Sequence, residues 1–143
     1  MKILYIANIR IPTEKAHGVQ IMKMCEAFSE QGIEVELVVP WRFNHIKENP
    51  FKYYDVKENF KITKVPSVDL VKFGKLGFWI QSISFSEHAF LYSIFKKADV
   101  IYSRDELPLF FLSLLKKNLV YEAHMPRFNF IIKEFNKIVT ISQ

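Results

Sequence analysis

The sequence predicts an α/β fold, an open parallel sheet with helices on both faces. Two observations predict it. Short apolar runs without polar alternation recur along the chain, as in strands buried on both sides. Between them lie stretches with apolar residues at three- and four-residue spacing, the mark of a helix face. Strands alternating with helices build βαβ units, whose crossovers are right-handed.

Lys2 to Asn8 (KILYIAN) reads as the first strand, followed by a polar loop from Ile9 to Gly18. Val19 to Gln31 reads as a helix with Ile21, Met22, Cys25 and Phe28 on one face, and Gly32 stands where a helix-ending glycine belongs. Ile33 to Val39 is a second strand, stopped by Pro40. Trp41 to Asn59 is polar, aromatic and irregular. Phe60 to Val65 is a third strand, and Lys75 to Lys97 a helix. Asp99 to Ser103 is a fourth strand, and Glu106 to Lys117 a helix with Asp105 at its N-cap. Leu119 to Tyr121 begins a fifth strand, Phe128 to Phe135 forms a short helix, and Lys137 to Ile141 is a sixth strand. The expected strand order is 3-2-1-4-5-6.

Composition narrows the class. With 143 residues, half of them apolar, the chain fills one domain with a real core. A net charge of +5 suits an anionic partner, such as a diphosphate or an acidic membrane surface, without being a nucleic-acid signature. One cysteine, Cys25, excludes an intrachain disulfide and a zinc cluster. The stretch from Leu76 to Phe95 carries Gln81, four serines, Glu87 and His88, too polar for a membrane span. A surface-lying role stays open for it. Its aromatics Phe78, Trp79, Phe85, Phe90 and Phe95 read as core, as do Phe110 and Phe111.

In an open α/β sheet, ligands bind beyond the carboxyl ends of the strands. That rule selects Arg10, Thr13, His17 and Gly18 after the first strand, and Arg104 and Asp105 after the fourth. It adds Glu122 and His124 on the fifth and Ser142 after the sixth. Gly18 at a helix start would let an anion approach free backbone N–H groups, or would be an ordinary helix entrance. Glu122 and His124, two apart on a strand, share a side; they are either a pair that orients the imidazole or a structural hydrogen bond. His45 and His88 have no place on this rim. The first loop is neither G-x-G-x-x-G nor a P-loop, and no acidic residue follows the second strand, which argues against a dinucleotide oxidoreductase. No histidine spacing suits a metal, and no serine sits in G-x-S-x-G.

The block from Met1 to Pro40, then KENFKITKVP, DVIYSRD, LVYEAH and KIVTIS, resembles the amino-terminal domain of family 4 glycosyltransferases. These are retaining nucleotide-sugar transferases of GT-B architecture. The resemblance implies a Rossmann-like open parallel sheet. It implies that His17 and Gly18 match the loop facing the donor diphosphate, and that His124 matches the histidine facing the sugar. It implies that Arg104 and Glu122 match the cleft wall and that Arg10 faces the acceptor. The catalytic candidates are then His124 and Glu122, and the acceptor or cleft candidates Arg10, Thr13, Arg104 and Asp105. The partners implied are a nucleotide-diphosphate sugar and a sugar or lipid-linked acceptor; no cofactor, metal or nucleic acid is expected. Family members carry a second, nucleotide-binding domain with a paired-glutamate motif, to which nothing here corresponds. The expectation is therefore an acceptor-side domain, residues 1–143, of a cytoplasmic hexosyltransferase, inactive in isolation. Contact with the inner face of the membrane stays open. The competing reading is a non-catalytic α/β module that binds a partner or a membrane surface.

Overall fold

A computed structural model describes residues 1–114, 118–123 and 137–140. The elements run β1 (Lys2–Ile6), α1 (Ala16–Glu30), β2 (Glu34–Pro40), α2 (Pro50–Tyr53) and β3 (Lys61–Val65). A 3-10 turn, Val71–Phe73, leads into α3 (Lys75–Ile94), followed by β4 (Val100–Ser103), α4 (Glu106–Ser113), β5 (Asn118–Ala123) and β6 (Lys137–Thr140). The six strands lie in the order β3-β2-β1-β4-β5-β6, and every neighbouring pair is parallel. This is the order expected from the sequence. The helix expected over 128–135 lies outside the described residues, as do His124 and Ser142.

The central strands are apolar on both sides because both sides are covered. Tyr5 sits beside Leu37 and Tyr102 in register. With Ile3 and Val39 these residues pack against Ile21, Met22 and Cys25 of α1 and against Tyr54. Leu4, Ile6, Val38, Ile101 and Leu119 point the other way, onto Phe85 and Ala89 of α3 and Leu109 and Leu112 of α4. Alternate side chains of one strand thus feed two cores. Each fully buried Leu or Ile contributes roughly 1.5–3 kcal/mol of transfer free energy.

Helix α1 starts three residues before the sequence pattern does. It ends as expected: Gly32 takes φ +76°, its N–H bonds Ser29 O, and the Ile33 N–H bonds Phe28 O at 3.2 Å. Helix α2 lies inside the stretch expected to be irregular. Asn49 Oδ1 caps it by accepting from the Phe51 and Lys52 N–H groups, and Pro50 takes the first position.

Helix α3 departs most from expectation. Its inner face is Gln81, Ser82, Phe85, Ser86, Ala89 and Ser93, all buried. Ser86 and Ser93 donate to the carbonyls of Ser82 and Ala89, four residues back, so their hydroxyls are satisfied inside the helix. The larger apolar side chains face out. Of the aromatics expected in the core, Phe85 is fully buried, whereas Phe78 and Trp79 are half exposed and Phe95 is exposed. Phe110 is likewise exposed. The apolar composition of this helix is right for burial, but its small residues are the ones the sheet can approach. No helix among the described residues is long and apolar enough to cross a membrane.

Candidate functional site

The carboxyl ends of β1, β2 and β4 open on one edge of the sheet, and their loops meet there. The first loop is pinned from below. Tyr54, at the end of α2, accepts from the Thr13 N–H at 2.6 Å and donates to the Thr13 carbonyl at 2.8 Å. Asn44 Nδ2 donates to the Pro12 carbonyl at 2.8 Å. Thr13 is buried as a result. Arg10 pairs with Glu14 at 2.9 Å, within the same loop. His45 reaches 4.0 Å from the other oxygen of Glu14, so it does stand on this rim. The sequence hides this because the chain from β2 folds back beneath the first loop.

Gly18 is buried in the first turn of α1. Its N–H is bonded to the Lys15 carbonyl at 2.9 Å. A Cβ there would collide with the Tyr54 hydroxyl and come within 2.7 Å of Thr13 Cγ2. The missing side chain makes room for the clamp on the loop. The amino end of α1 has no side-chain cap and no acidic residue in its first turn. The nearest carboxylate is Glu14, just before the N-cap, where it is paired with Arg10.

Arg104 follows β4 and leans toward α1. Its guanidinium donates to Gln20 Oε1 at 3.2 Å, and Gln20 Nε2 donates to Glu122 at 3.4 Å. Glu122 is fully buried and also accepts from the hydroxyls of Tyr102 at 3.0 Å and Tyr5 at 3.3 Å. This places the carboxylate under α1 as the anchor of a chain that ends in Arg104. Burial pushes both tyrosine hydroxyls well above their ordinary range, and the nearby carboxylate adds to it. They stay protonated and donate. His17 is lowered from the usual imidazole range, first by burial and then by the positive charges of Arg104 and Lys15. Both effects favour its uncharged form.

Asp105 occupies the N-cap position of α4 but does not cap it. Its carboxylate accepts the Asn8 N–H at 2.6 Å, stitching the loop after β4 to the loop after β1. Burial pushes this carboxyl up, and the Asn8 hydrogen bond and Arg104 act against that. Asn8 in turn accepts from Gln81 at 2.8 Å and donates to Ser82 at 3.1 Å.

The structure therefore brings His17, Gly18, Arg104, Asp105 and the Arg10–Thr13 loop to one edge. Sequence reasoning missed Gln20, Asn44 and Tyr54, which set that edge in place. Their signal was weak: a polar residue in the second turn of a helix and hydroxyls that need partners. Among the described residues no group of His, Cys, Asp and Glu could hold a metal ion. An open cleft of about 370 Å3 lies on the opposite edge, where β1, β2 and β3 begin. Lys2, Lys61 and Lys96 in that cleft pair with Glu34 or Glu36, which gives it a structural account.

No family model and no curated protein sequence matches the chain. Solved structures do. The chain is similar to Acinetobacter baumannii MurG with a TM-score of 0.61 and 10% identity, over 97% of this chain and 40% of that one. It is similar to apo UGT2 of Phytolacca americana with a TM-score of 0.57 and 10% identity, over 86% of this chain and 30% of that one. The chain thus spans less than half the length of either neighbour. What it shares with these two proteins is their α/β Rossmann-like fold.

Proposed function

We infer that the chain is the acceptor-side domain of a glycosyltransferase that uses a nucleotide-diphosphate sugar and retains anomeric configuration. The observation that carries the reading is the rim. An uncapped helix end, a fixed cation and an imidazole whose uncharged form is favoured converge at the carboxyl edge of a sheet whose fold neighbours are glycosyltransferases. A leaving diphosphate needs positive charge placed in advance, and Arg104, held by Gln20 and Glu122, supplies it without reorganisation. Glu122 is a positioning residue in this scheme. His17 offers an uncharged hydrogen-bonding group beside the phosphate path. His124 is proposed to face the transferring sugar, on the resemblance of its sequence segment. The acceptor enters past Arg10, Thr13 and Asp105, and the departing phosphate takes the acceptor proton.

The neighbours are longer than this chain, and their remaining length corresponds in this proposal to a nucleotide-binding domain. The isolated chain is then inactive, and the parent works in the cytoplasm. The test is sugar transfer by the intact parent. Arg104→Ala is expected to lower kcat/KM about a hundredfold with the fold unchanged. Unchanged turnover would remove Arg104 from the site, and turnover by the 143-residue chain alone would end the two-domain reading.

A further inference from the structure

The cleft at the amino edge of the sheet, about 370 Å3 in volume, is in the size range of small-molecule sites. Val35 and Phe60, both buried, give it an apolar part. Three lysines and three glutamates make up most of the rest, and they do not pair one to one.

Lys2 and Glu34 neutralise each other at 2.6 Å. Glu36 takes two lysines, Lys61 at 3.4 Å on one carboxylate oxygen and Lys96 at 3.5 Å on the other. The hydroxyls of Thr63 and Tyr92 donate to it as well, which fills its acceptor capacity. One positive charge is left over beside it. Lys61 carries this open cation: its side chain is 62% exposed, and an ammonium keeps further donors once Glu36 has taken one. Glu58 lies exposed on the loop before β3, with no ion-pair or hydrogen-bond partner among the described residues. One negative charge is therefore left over too. The two stand on either side of Asn59 and Phe60 and do not pair with each other.

We propose that this cleft binds a zwitterion, a free α-amino acid with an apolar side chain. Its carboxylate meets Lys61, with Lys96 behind, its ammonium meets Glu58, and its side chain lies against Val35 and Phe60. A simple anion would face the unpaired Glu58, and a simple cation the surplus charge at Lys61. A molecule carrying both charges a few bonds apart answers both. The site joins β2, β3 and α3 through Glu36, Lys61 and Lys96, so occupancy stabilises the fold by mass action. It lies on the edge opposite the rim, and the inference does not rest on the transferase reading.

The test is an NMR titration of the isotope-labelled chain with leucine. The backbone amide signals of Glu58 and Lys61 are expected to move along a saturable curve. N-acetyl-leucine, which lacks the ammonium, and leucinamide, which lacks the carboxylate, should each bind about fivefold more weakly, the effect of losing one exposed ion pair. Glu58→Gln should weaken leucine by a similar factor and leave N-acetyl-leucine unchanged. Lys61→Gln should weaken leucine and leave leucinamide unchanged. Urea transitions check that both variants fold. N-acetyl-leucine binding as tightly as leucine would reduce the cleft to an anion site, and leucinamide doing so would reduce it to a cation site. Either result, or the lack of any saturable shift with leucine, would overturn the proposal.

Discussion

A methyl group at position 18 would meet the Tyr54 hydroxyl and Thr13 Cγ2 together. Elsewhere in a helix, replacing glycine by alanine gains up to about 1 kcal/mol. Here overpacking costs about 1–3 kcal/mol, because Tyr54 holds two backbone groups of the loop and has no free direction to retreat. Gly18→Ala is therefore expected to lower stability in urea by about 1–2 kcal/mol; a gain would mean that the clamp is loose. His17 carries the second prediction. Arg104 is one cause of its lowered pKa, after burial. Arg104→Gln should raise the imidazole pKa toward its ordinary value, as read by proton NMR titration. An unchanged value would place Arg104 elsewhere than beside His17. The rim residues themselves were legible, because topology alone sends the loops after β1 and β4 to one edge. Their supports were not. Thr13 and Tyr54 are 41 positions apart, Arg104 and Gln20 are 84 apart, and no local pattern announces such contacts.

At the scale of elements, what was legible was what periodicity reports. Both buried faces of β1 and the glycine end of α1 follow from spacing and from one residue's backbone freedom. Helix α3 was misread because hydrophobic identity was taken for burial. Four of its seven buried residues are serine or glutamine, and the three serine hydroxyls and the Gln81 amide N–H are engaged in bonds that the sequence does not display. Helix α2 was missed because four residues give no periodicity, though Asn49 and Pro50 form a start signal. Strand β2 carries a charge that its apolar run conceals. Glu36 is almost fully buried and meets Tyr92, Thr63, Lys96 and Lys61. Burial alone would push its carboxyl up, but the hydrogen bonds and lysine charges outweigh that and hold it at about 2. A depressed carboxylate stabilises the fold above its unfolded pKa and ceases to as pH falls through the folded one. Stability should thus drop between roughly pH 4.5 and 2 on account of this group. Urea midpoints across that range should fall less steeply in Glu36→Gln; an equal slope would assign the acid sensitivity to other carboxylates.

At the scale of the molecule, the strand order was legible because right-handed crossovers leave few alternatives once six strands and their helices are placed. The whole-chain assignment was less legible. At 10% identity the likeness to glycosyltransferases lies in backbone geometry, and side-chain chemistry must be argued from this chain's own rim. The sheet also makes a prediction about cooperativity. Strand β1 has β2 on one side and β4 on the other, and Tyr102 of β4 packs edge-on against Tyr5 at 4.8 Å. A fragment of residues 1–98 should therefore lack a cooperative urea transition that the full chain shows. A sharp transition in the fragment would mean that β1 to β3 with α1 to α3 suffice.

The central place of the first strand has a consequence for the chain as it leaves the ribosome. Strand β1 has only one of its two sheet neighbours when β2 emerges, and waits for about sixty more residues until β4 arrives. At elongation rates of about 5–20 residues per second this interval lasts several seconds. Throughout it one backbone edge of β1 stays open, with Leu4 and Ile6 lacking Ile101, an invitation to intermolecular pairing. The nascent chain is thus exposed to misassembly during the interval between the emergence of β2 and that of β4.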